Sequence, residues 1–180
     1  MTTILLARHG ETDWNSEHRL QGHTDRPLTD AGWAQAHALA AKLENEALDA
    51  VYTSDLARAH DTAQVVADSK GLAVTVLRDL REKNFGSWEG LTDNEVLRRF
   101  PDAQPGHWGD GETRREMSRR VIAALLRIAA AHPRGRVLVV THGGPLRAVL
   151  RRGGSDREGP IGNGDVIQIT VAGGLVRAVD

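Results

Sequence analysis

The sequence predicts an α/β protein with a mostly parallel central sheet covered by helices on both faces. Short apolar runs, typical of buried strands, alternate along the chain with longer segments whose apolar residues recur at helical spacing. The last two strand-like runs, residues 166–171 and 175–179, flank a Gly173-Gly174 pair, which indicates a hairpin. We therefore expect mixed strand pairing at one end of the sheet.

The composition is that of an ordinary globular chain, and we expect one domain over residues 1–180. Of the 180 residues, 40% are hydrophobic and 26% are charged, and the formal net charge of −1 argues against a nucleic-acid partner. The lack of cysteine excludes disulfides, thiolate zinc sites and cysteine nucleophiles. No apolar run approaches the roughly 20 residues of a membrane span, and nothing resembles a signal peptide. We expect a cytoplasmic enzyme or binding protein with no membrane partner.

The first predicted strand, residues 4–6, leads directly into Arg8, His9 and Gly10. In open α/β sheets ligands bind at the carboxyl ends of the strands. An arginine matches the geometry of a phosphate group, and a neutral imidazole can act as a nucleophile. Taken alone, this stretch favours a surface Arg-His pair that merely closes a strand, and the residues further along the chain change that interpretation.

A long polar segment, residues 13–27, follows the first strand and has no helical or strand periodicity. Such loops are uncommon in compact domains and are often functional, so we expect it at the rim of a site. Thr29 or Asp30 then caps a helix that ends near Asn45, and residues 50–53 form the second strand.

The next helix, residues 56–69, is predicted to begin after a cap at Ser54 or Asp55. Arg58 then lies in the first turn, where the helix dipole favours an anion rather than a cation. A bound anion would explain this position. An ion pair with Asp55 or Asp61 is the alternative.

Glu82 lies between two cations on an irregular segment that follows the third predicted strand, residues 72–77. It could be a general acid or only a surface carboxylate. Thr92 and Glu95 form a capping box for a short helix that ends near Phe100.

A loop rich in glycine and proline, residues 103–111, precedes a second capping box made by Thr113 and Glu116. This box begins a long amphipathic helix that ends at His132. Four arginines of this helix are expected on its solvated face. They are Arg114, Arg115, Arg119 and Arg120.

The most strand-like run in the chain, residues 137–140, is followed by His142, Gly143 and Gly144. Pro145 suits the first turn of another helix, whose N-terminus would favour an anion. This arrangement repeats that of the first strand, because a buried strand again leads to an imidazole and then to glycine.

These residues together predict phosphoryl transfer. His9 and His142 are expected at the same edge of the sheet, and Arg8 and Arg58 add two permanent positive charges. Phosphoryl transfer needs fixed cations around the phosphoryl oxygens and a nucleophile in line with the leaving oxygen. His9 would attack phosphorus, Arg8, Arg58 and His142 would surround the oxygens, and Glu82 is the best candidate for the acid that protonates an alkoxide.

The sequence resembles the histidine phosphatase superfamily, in its phosphoglycerate mutase-like branch. The matching blocks follow the order of the family and extend over nearly the whole chain. They are Arg8-His9-Gly10-Glu11-Thr12-Asp13-Trp14-Asn15, Leu28-Thr29, Ser54-Asp55-Leu56-Ala57-Arg58-Ala59, Leu80-Arg81-Glu82, Phe85-Gly86 with Trp88-Glu89-Gly90, and Thr141-His142-Gly143-Gly144. The resemblance implies a three-layer sandwich around a mixed, mostly parallel sheet.

The resemblance also implies roles for individual residues. His9 would be the nucleophile that forms a phosphohistidine, Glu82 the proton donor and then the base for water, and Arg8, Arg58 and His142 the phosphoryl-binding groups. Further residues implied in the phosphate and substrate pocket are Asn15, Gln21, Gly22 and Gly143. No metal and no cofactor is implied, His18 and His23 are expected only at the rim, and a homodimer is an option that the family leaves open.

Hydrolysis is the expected reaction. Mutases of this family carry a long insertion between the positions of Glu82 and His142 and an extended C-terminal lid, whereas this chain has only the short stretch 106–111. An open pocket admits water to a phosphohistidine. We therefore expect a metal-independent phosphatase of broad specificity acting on a small phosphate monoester, such as a sugar phosphate, a phosphoglycerate or a biosynthetic intermediate. The alternatives are a phosphoglycerate mutase and a module that binds phosphorylated ligands without turnover.

Overall fold

The computed structural model describes residues 1–103, 109–155 and 159–179. Within these ranges six strands form one sheet in the order β3-β2-β4-β1-β5-β6. The strands are β1 (Thr2–Arg8), β2 (Ala50–Thr53), β3 (Val74–Val76), β4 (Arg136–Thr141), β5 (Val166–Ala172) and β6 (Leu175–Val179). The four strands from β3 to β1 are parallel to one another, while β5 and β6 pair antiparallel, so the predicted mixed sheet is confirmed.

Helices cover both faces of this sheet. The α-helices described are α1 (Asp13–Ser16), α2 (Asp30–Lys42), α3 (Ala57–Lys70), α4 (Asp93–Arg99), α5 (Arg114–Ala131) and α6 (Gly143–Arg152). Of these, α2 and α3 pack on one face of the sheet, and α5 and α6 pack on the other. Successive side chains of β1 point to opposite faces: Leu5 packs in the core with α2 and α3, whereas Ile4 and Leu6 pack in the core with α5 and α6. The predicted three-layer architecture is therefore confirmed. None of the helices described is long and apolar enough to cross a membrane.

The neighbouring positions of β1 and β4 bring the expected site together. The two strands are parallel, with Ala7 opposite Val140 and Arg8 opposite Thr141. Their carboxyl ends therefore coincide. His9 follows one strand and His142 the other, so both imidazoles emerge at the same place on the sheet edge.

Two local predictions were wrong. The segment 13–27 contains the short helix α1, because Thr12 and Asn15 form a reciprocal cap that the search for periodicity missed. Neither Ser54 nor Asp55 caps α3, which follows Leu56 without a side-chain cap. Instead both carboxylate oxygens of Asp25 accept from the N–H of Ala57, at 2.9 and 3.0 Å.

The two capping boxes predicted for α4 and α5 are confirmed. The third strand is shorter than predicted, since only Val74–Val76 pair with β2. The predicted loop 103–111 falls mostly on residues 104–108, which lie outside the described residues.

Candidate active site

Two buried imidazoles lie at the centre of the site. The ring centroids of His9 and His142 are 5.1 Å apart and the ring planes are inclined by 58°. Both side chains are almost completely shielded from solvent, with 3% and 0% exposed. The sequence therefore places two titratable rings side by side in the protein interior.

Two guanidinium groups flank the imidazoles. Arg58 comes from the first turn of α3 and is fully buried, and its Nη1 and Nη2 donate to the carbonyls of Thr24 and Gly22 at 3.0 and 2.8 Å. Arg8 ends β1, and its Nη1 donates to the carbonyl of Ile161 at 2.5 Å. The Nε atom of each arginine is buried and has no partner among the described residues. Buried donors of this kind call for an acceptor that the protein does not itself supply.

Arg58 is not held by either of the two carboxylates considered for it, one just before α3 and one within it. Neither Asp55 nor Asp61 contacts it, and Asp25 approaches only to 3.9 Å. Asp55 is occupied instead by the side chains of Arg78 and Arg81, at 3.0 and 2.6 Å. The interpretation of Arg58 as half of a local ion pair was therefore wrong.

Burial and the two cations determine the charge of the imidazoles. Burial lowers the pKa of His9 well below its usual value, and the positive charges of Arg58 and Arg8 lower it further. The pKa of His142 is lowered in the same way by burial, by Arg58 and by His9. Both rings are therefore neutral at neutral pH. Burial also lowers the pKa of Arg58 to about 10, so that this side chain stays charged.

The tautomer of His9 follows from one hydrogen bond. Its Nδ1 lies 2.6 Å from the carbonyl oxygen of Gly10, and a carbonyl can only accept. Nδ1 must therefore carry the proton, which leaves a lone pair on Nε2. A neutral imidazole with this free Nε2 has the electronic form that a nucleophile needs.

A chain of contacts fixes β1 against α3. The N–H of Gly10 donates to Oγ1 of Thr62 at 3.0 Å, and that hydroxyl donates to the carbonyl of Arg58 at 2.7 Å. A side chain on Gly10 would lie 2.4 Å from the carbonyl oxygen of Gly32. Gly10 therefore permits a close approach to α2, while its hydrogen bond to Thr62 links His9 to α3, the helix that carries Arg58.

Glu82 meets the N-terminus of α6, next to His142. One carboxylate oxygen accepts from the N–H of Lys83 at 2.7 Å and the other from the N–H of Gly144 at 3.0 Å. A side chain on Gly144 would come within 2.1 Å of the first oxygen. The structure thus brings Glu82 to the helix that begins after His142.

Arg120 holds the segment that carries Glu82, which corrects the expectation of a fully solvated arginine face. Its Nη1 donates to the carbonyls of Asp79 and Arg81 at 2.9 and 2.7 Å, and its Nη2 donates to the carbonyl of Glu82 at 2.7 Å. It also binds both carboxylate oxygens of Glu112, at 2.7 and 2.8 Å. A sequence signal existed, because Arg120 lies three positions after a core residue of α5 and so borders the apolar stripe.

His23 is also more than a rim residue. Its Nε2 is 2.9 Å from the carbonyl oxygen of Glu82, which Arg120 also contacts. His18, in contrast, is exposed, as expected.

The other predicted pocket residues lie around the same cluster. Gly22 supplies a carbonyl to Arg58, and Gln21 is buried with an Oε1 that has no partner in the described part of the chain. Oδ1 of Asn15 accepts from Nδ2 of Asn163 at 3.3 Å, and the same Nδ2 donates to the carbonyl of His9 at 2.9 Å. Sequence reasoning missed Asn163, which carries no motif of its own.

Two further residues were missed. Glu89 accepts from the backbone N–H groups of His23 and Thr24, both at 2.8 Å, and from the hydroxyl of Thr24 at 2.6 Å, and it thereby fixes the carbonyls that hold Arg58. Arg147 of α6 lies close to Gly143. A Cβ atom on Gly143 would be 3.4 Å from Nη1 of Arg147 and 3.7 Å from Nε of Arg8. Glu89 lay within a matching family block, whereas Arg147 was one surface arginine among many.

The site can therefore receive a compact anion. Two guanidinium groups with unpaired Nε donors, two neutral imidazoles and the N-terminus of α6 converge on one edge of the sheet. This arrangement suits an oxyanion that reacts with an imidazole while fixed charges hold its oxygens.

Comparison with known proteins agrees with this geometry. Residues 4–173 match the histidine phosphatase superfamily (branch 1), and the chain belongs to this family. It is 41% identical over 160 residues to the phosphoglycerate mutase-like protein 4 of Arabidopsis thaliana, covering 83% of this chain and 70% of that one. It is 39% identical over 163 residues to a metal-independent phosphoserine phosphatase of the same plant, covering 84% and 68%.

A solved structure is similar over almost the full length. The mycobacterial glucosyl-3-phosphoglycerate phosphatase in complex with VO3 superposes with a TM-score of 0.87 at 28% identity, covering 98% of this chain and 96% of that one. The predicted family, fold and enzyme class, a histidine phosphatase, are thereby confirmed.

Proposed function

We propose that the protein hydrolyses phosphate monoesters through a covalent intermediate on His9. The observation that carries this proposal is the state of that ring, which is neutral, protonated on Nδ1, and placed beside the buried guanidinium group of Arg58 and the half-buried Arg8. The lone pair on Nε2 attacks phosphorus, the N–P bond forms, and the bond from phosphorus to the alcohol oxygen breaks. The hydrogen bond from Nδ1 to the carbonyl of Gly10 stabilises the positive charge that develops on the ring.

Glu82 supplies the proton in this scheme. In its protonated form it donates to the leaving alcohol oxygen, and as a carboxylate it then accepts a proton from the water that attacks the phosphohistidine. Arg8, Arg58 and His142 bind the phosphoryl oxygens in both steps. Attack by water cleaves the N–P bond, releases inorganic phosphate and returns His9 to its starting state. No step requires a metal or a cofactor.

Other assignments belong to the same proposal. The substrate pocket is completed by Asn15, Gln21, Gly22 and Gly143, within one domain that spans residues 1–180. A cytoplasmic location remains a prediction, and a homodimer remains an option.

Hydrolysis, rather than mutase activity, is supported by the short connection between Glu82 and His142. A mutase has to protect its phosphohistidine from water while the substrate reorients. The resemblance to the family implies that mutases do so in part with an insertion between these two positions, where this chain has only residues 106–111.

The test is turnover and covalent trapping with purified protein. We expect release of phosphate from aryl phosphates and from a panel that includes phosphoserine and phosphoglycerates, and an acid-labile phosphoryl group on His9 after a rapid quench. His9→Ala should abolish both, because no other nucleophile replaces the ring, whereas His37→Ala, an exposed histidine of α2, should behave as the wild type. Turnover by His9→Ala near the wild-type rate would refute the mechanism. Binding of phosphate without any turnover would indicate a binding module.

A further inference from the structure

Ser54 has no role in the cap of α3, although the sequence predicted one. Its side chain is buried just after the carboxyl end of β2, the strand that pairs with β4. There its Oγ lies 2.8 Å from Nε2 of His142. Both side chains are 0% exposed, so bulk water does not compete for this contact. The structure therefore joins a hydroxyl group to one of the two imidazoles of the site.

The direction of this hydrogen bond follows from the other contact of the hydroxyl. Within residues 1–103, 109–155 and 159–179, the only further partner of Oγ is the N–H of Leu56, which donates to it at 3.4 Å. A buried hydroxyl proton needs an acceptor, and the lone pair on Nε2 of His142 is the one within reach. Ser54 therefore donates to Nε2, and the neutral ring of His142 carries its proton on Nδ1.

Nδ1 of His142 is the ring nitrogen that remains for a ligand. It is buried and has no hydrogen-bond partner in the part of the chain that the structure describes. A buried N–H group without an acceptor costs free energy, and the guanidinium groups of Arg8 and Arg58 are donors only. A phosphoryl oxygen supplies the acceptor that is missing. In the opposite tautomer, Nδ1 would present a lone pair to that oxygen and repel it.

We propose that Ser54 is a positioning residue that fixes the tautomer of His142, so that Nδ1 of this ring donates a hydrogen bond to the phosphoryl group. The inference rests on the proposed phosphatase activity and deepens it, because it names the atom of His142 that binds and the residue that sets its proton. Both histidines then carry the proton on Nδ1 but act differently. A carbonyl acceptor fixes His9 and leaves Nε2 free to attack, whereas a hydroxyl donor fixes His142 and leaves Nδ1 free to donate.

NMR of the histidine ring nitrogens in isotope-labelled protein tests the tautomer without any turnover. In the ligand-free wild type we expect the signals of His142, assigned by their loss in His142→Gln, to show a protonated Nδ1 and an unprotonated Nε2. Adding inorganic phosphate should shift mainly the Nδ1 signal, because this atom gains a new acceptor. In Ser54→Ala the ring should lose its fixed state and show signals averaged over both tautomers.

Turnover connects the tautomer to catalysis. Ser54→Ala should lower kcat/KM for an aryl phosphate by about tenfold, which is less than the roughly 10²–10³-fold loss typical of removing an oxyanion donor, since the ring itself remains. Ser54→Cys should recover part of this loss, because a thiol is a weak donor. The matched control is Thr53→Val, which removes the neighbouring buried hydroxyl. That hydroxyl donates to the carbonyl of Val140 at 3.1 Å, so its loss should alter stability but neither kcat/KM nor the ring signals.

The outcomes separate the role of Ser54 from the proposed function. A proton on Nε2 of His142 in the wild type, ring signals that Ser54→Ala leaves unchanged, or wild-type kcat/KM in that variant would each overturn this role while the phosphatase activity stands. Equal losses of kcat/KM in Ser54→Ala and Thr53→Val would also overturn it, because they would reflect stability alone. A wild type that holds the proton on Nδ1 but releases no phosphate from an aryl phosphate would instead remove the proposed function.

Discussion

Replacing Arg120 by methionine should separate the acid step from the rest of catalysis. The side chain of Arg120 donates to three carbonyls of the segment 79–82 and to both oxygens of Glu112, at distances of 2.7 to 2.9 Å. Methionine keeps an unbranched apolar stem but none of these donors. We therefore regard Arg120 as a positioning residue, because it reaches the reaction only through Glu82.

The expected loss of stability follows from the burial of this pair. The side chains of Arg120 and Glu112 are only 20% and 16% exposed. Removing one partner of a buried ion pair costs about 3–5 kcal/mol, and residual access of water favours the lower end, about 3 kcal/mol. Urea unfolding should show this decrease for Arg120→Met. The double variant Arg120→Met/Glu112→Leu should recover most of it, because no unpaired charge remains.

The double variant should regain stability but not its activity towards alkyl phosphates. A general acid contributes about 10²–10⁴ in rate, and displacing Glu82 without removing it should forfeit about 10- to 100-fold of that for alkyl phosphates. The phenolate of an aryl phosphate departs without full protonation, so turnover of aryl phosphates should fall by less than about threefold. The double variant should keep this selective defect, and Arg119→Met, an exposed neighbour on the same helix, should show none.

Two results would refute this reasoning. If Arg120→Met lowers alkyl and aryl turnover equally, the arginine supports the whole site rather than the acid. If the double variant regains wild-type alkyl turnover, the defect reflects global destabilisation and not the position of Glu82.

Three further predictions concern the same site. Glu82→Gln should slow alkyl phosphates far more than aryl phosphates, by roughly 10²-fold or more, and equal losses in a two-substrate assay would remove the acid role. Activity should survive dialysis against EDTA. A requirement for added metal would contradict the proposal that Arg8, Arg58 and His142 bind the phosphoryl group without a metal ion. The folded-state pKa of His9 and of His142 lies below the unfolded value of about 6.5. Their contribution to stability is therefore complete above that pH and is lost progressively as the pH falls below it, by about 1.4 kcal/mol per histidine per pH unit. Urea titrations should show a shallower slope for His142→Gln, and an unchanged slope would show that His142 does not titrate in this way.

The sequence was sufficient to predict the fold and the proximity of the two imidazoles. Buried strands have a clear apolar signature, and residues that follow two neighbouring parallel strands must lie at one sheet edge. Thus His9 and His142 could be placed together before their contact was known. The capping boxes at Thr92 and Thr113 were equally legible, because each depends on residues only three positions apart.

What the sequence did not reveal are supports that come from distant parts of the chain. Asp25 caps α3 from 32 positions away, and Arg120 holds Glu82 from 38 positions away. Local propensity contains no information on such pairs. A charged residue at the edge of an apolar stripe looks the same whether it meets water or a row of carbonyls, which is why Arg120 was assigned to the solvated face.

Placing two arginines next to two histidines in the protein interior is unfavourable for stability, but it suits the proposed reaction. The cations and the loss of water keep the ring of His9 neutral, and only the neutral ring has a lone pair for phosphorus. Within the described part of the chain the Nε donors of these cations have no partner, so a doubly charged phosphoryl group would relieve both their desolvation and their mutual repulsion. The features that weaken the empty site are therefore those that bind the substrate and maintain its nucleophile. A site optimised for stability alone would have placed a carboxylate between Arg8 and Arg58, and it would then have excluded the anion on which the reaction depends.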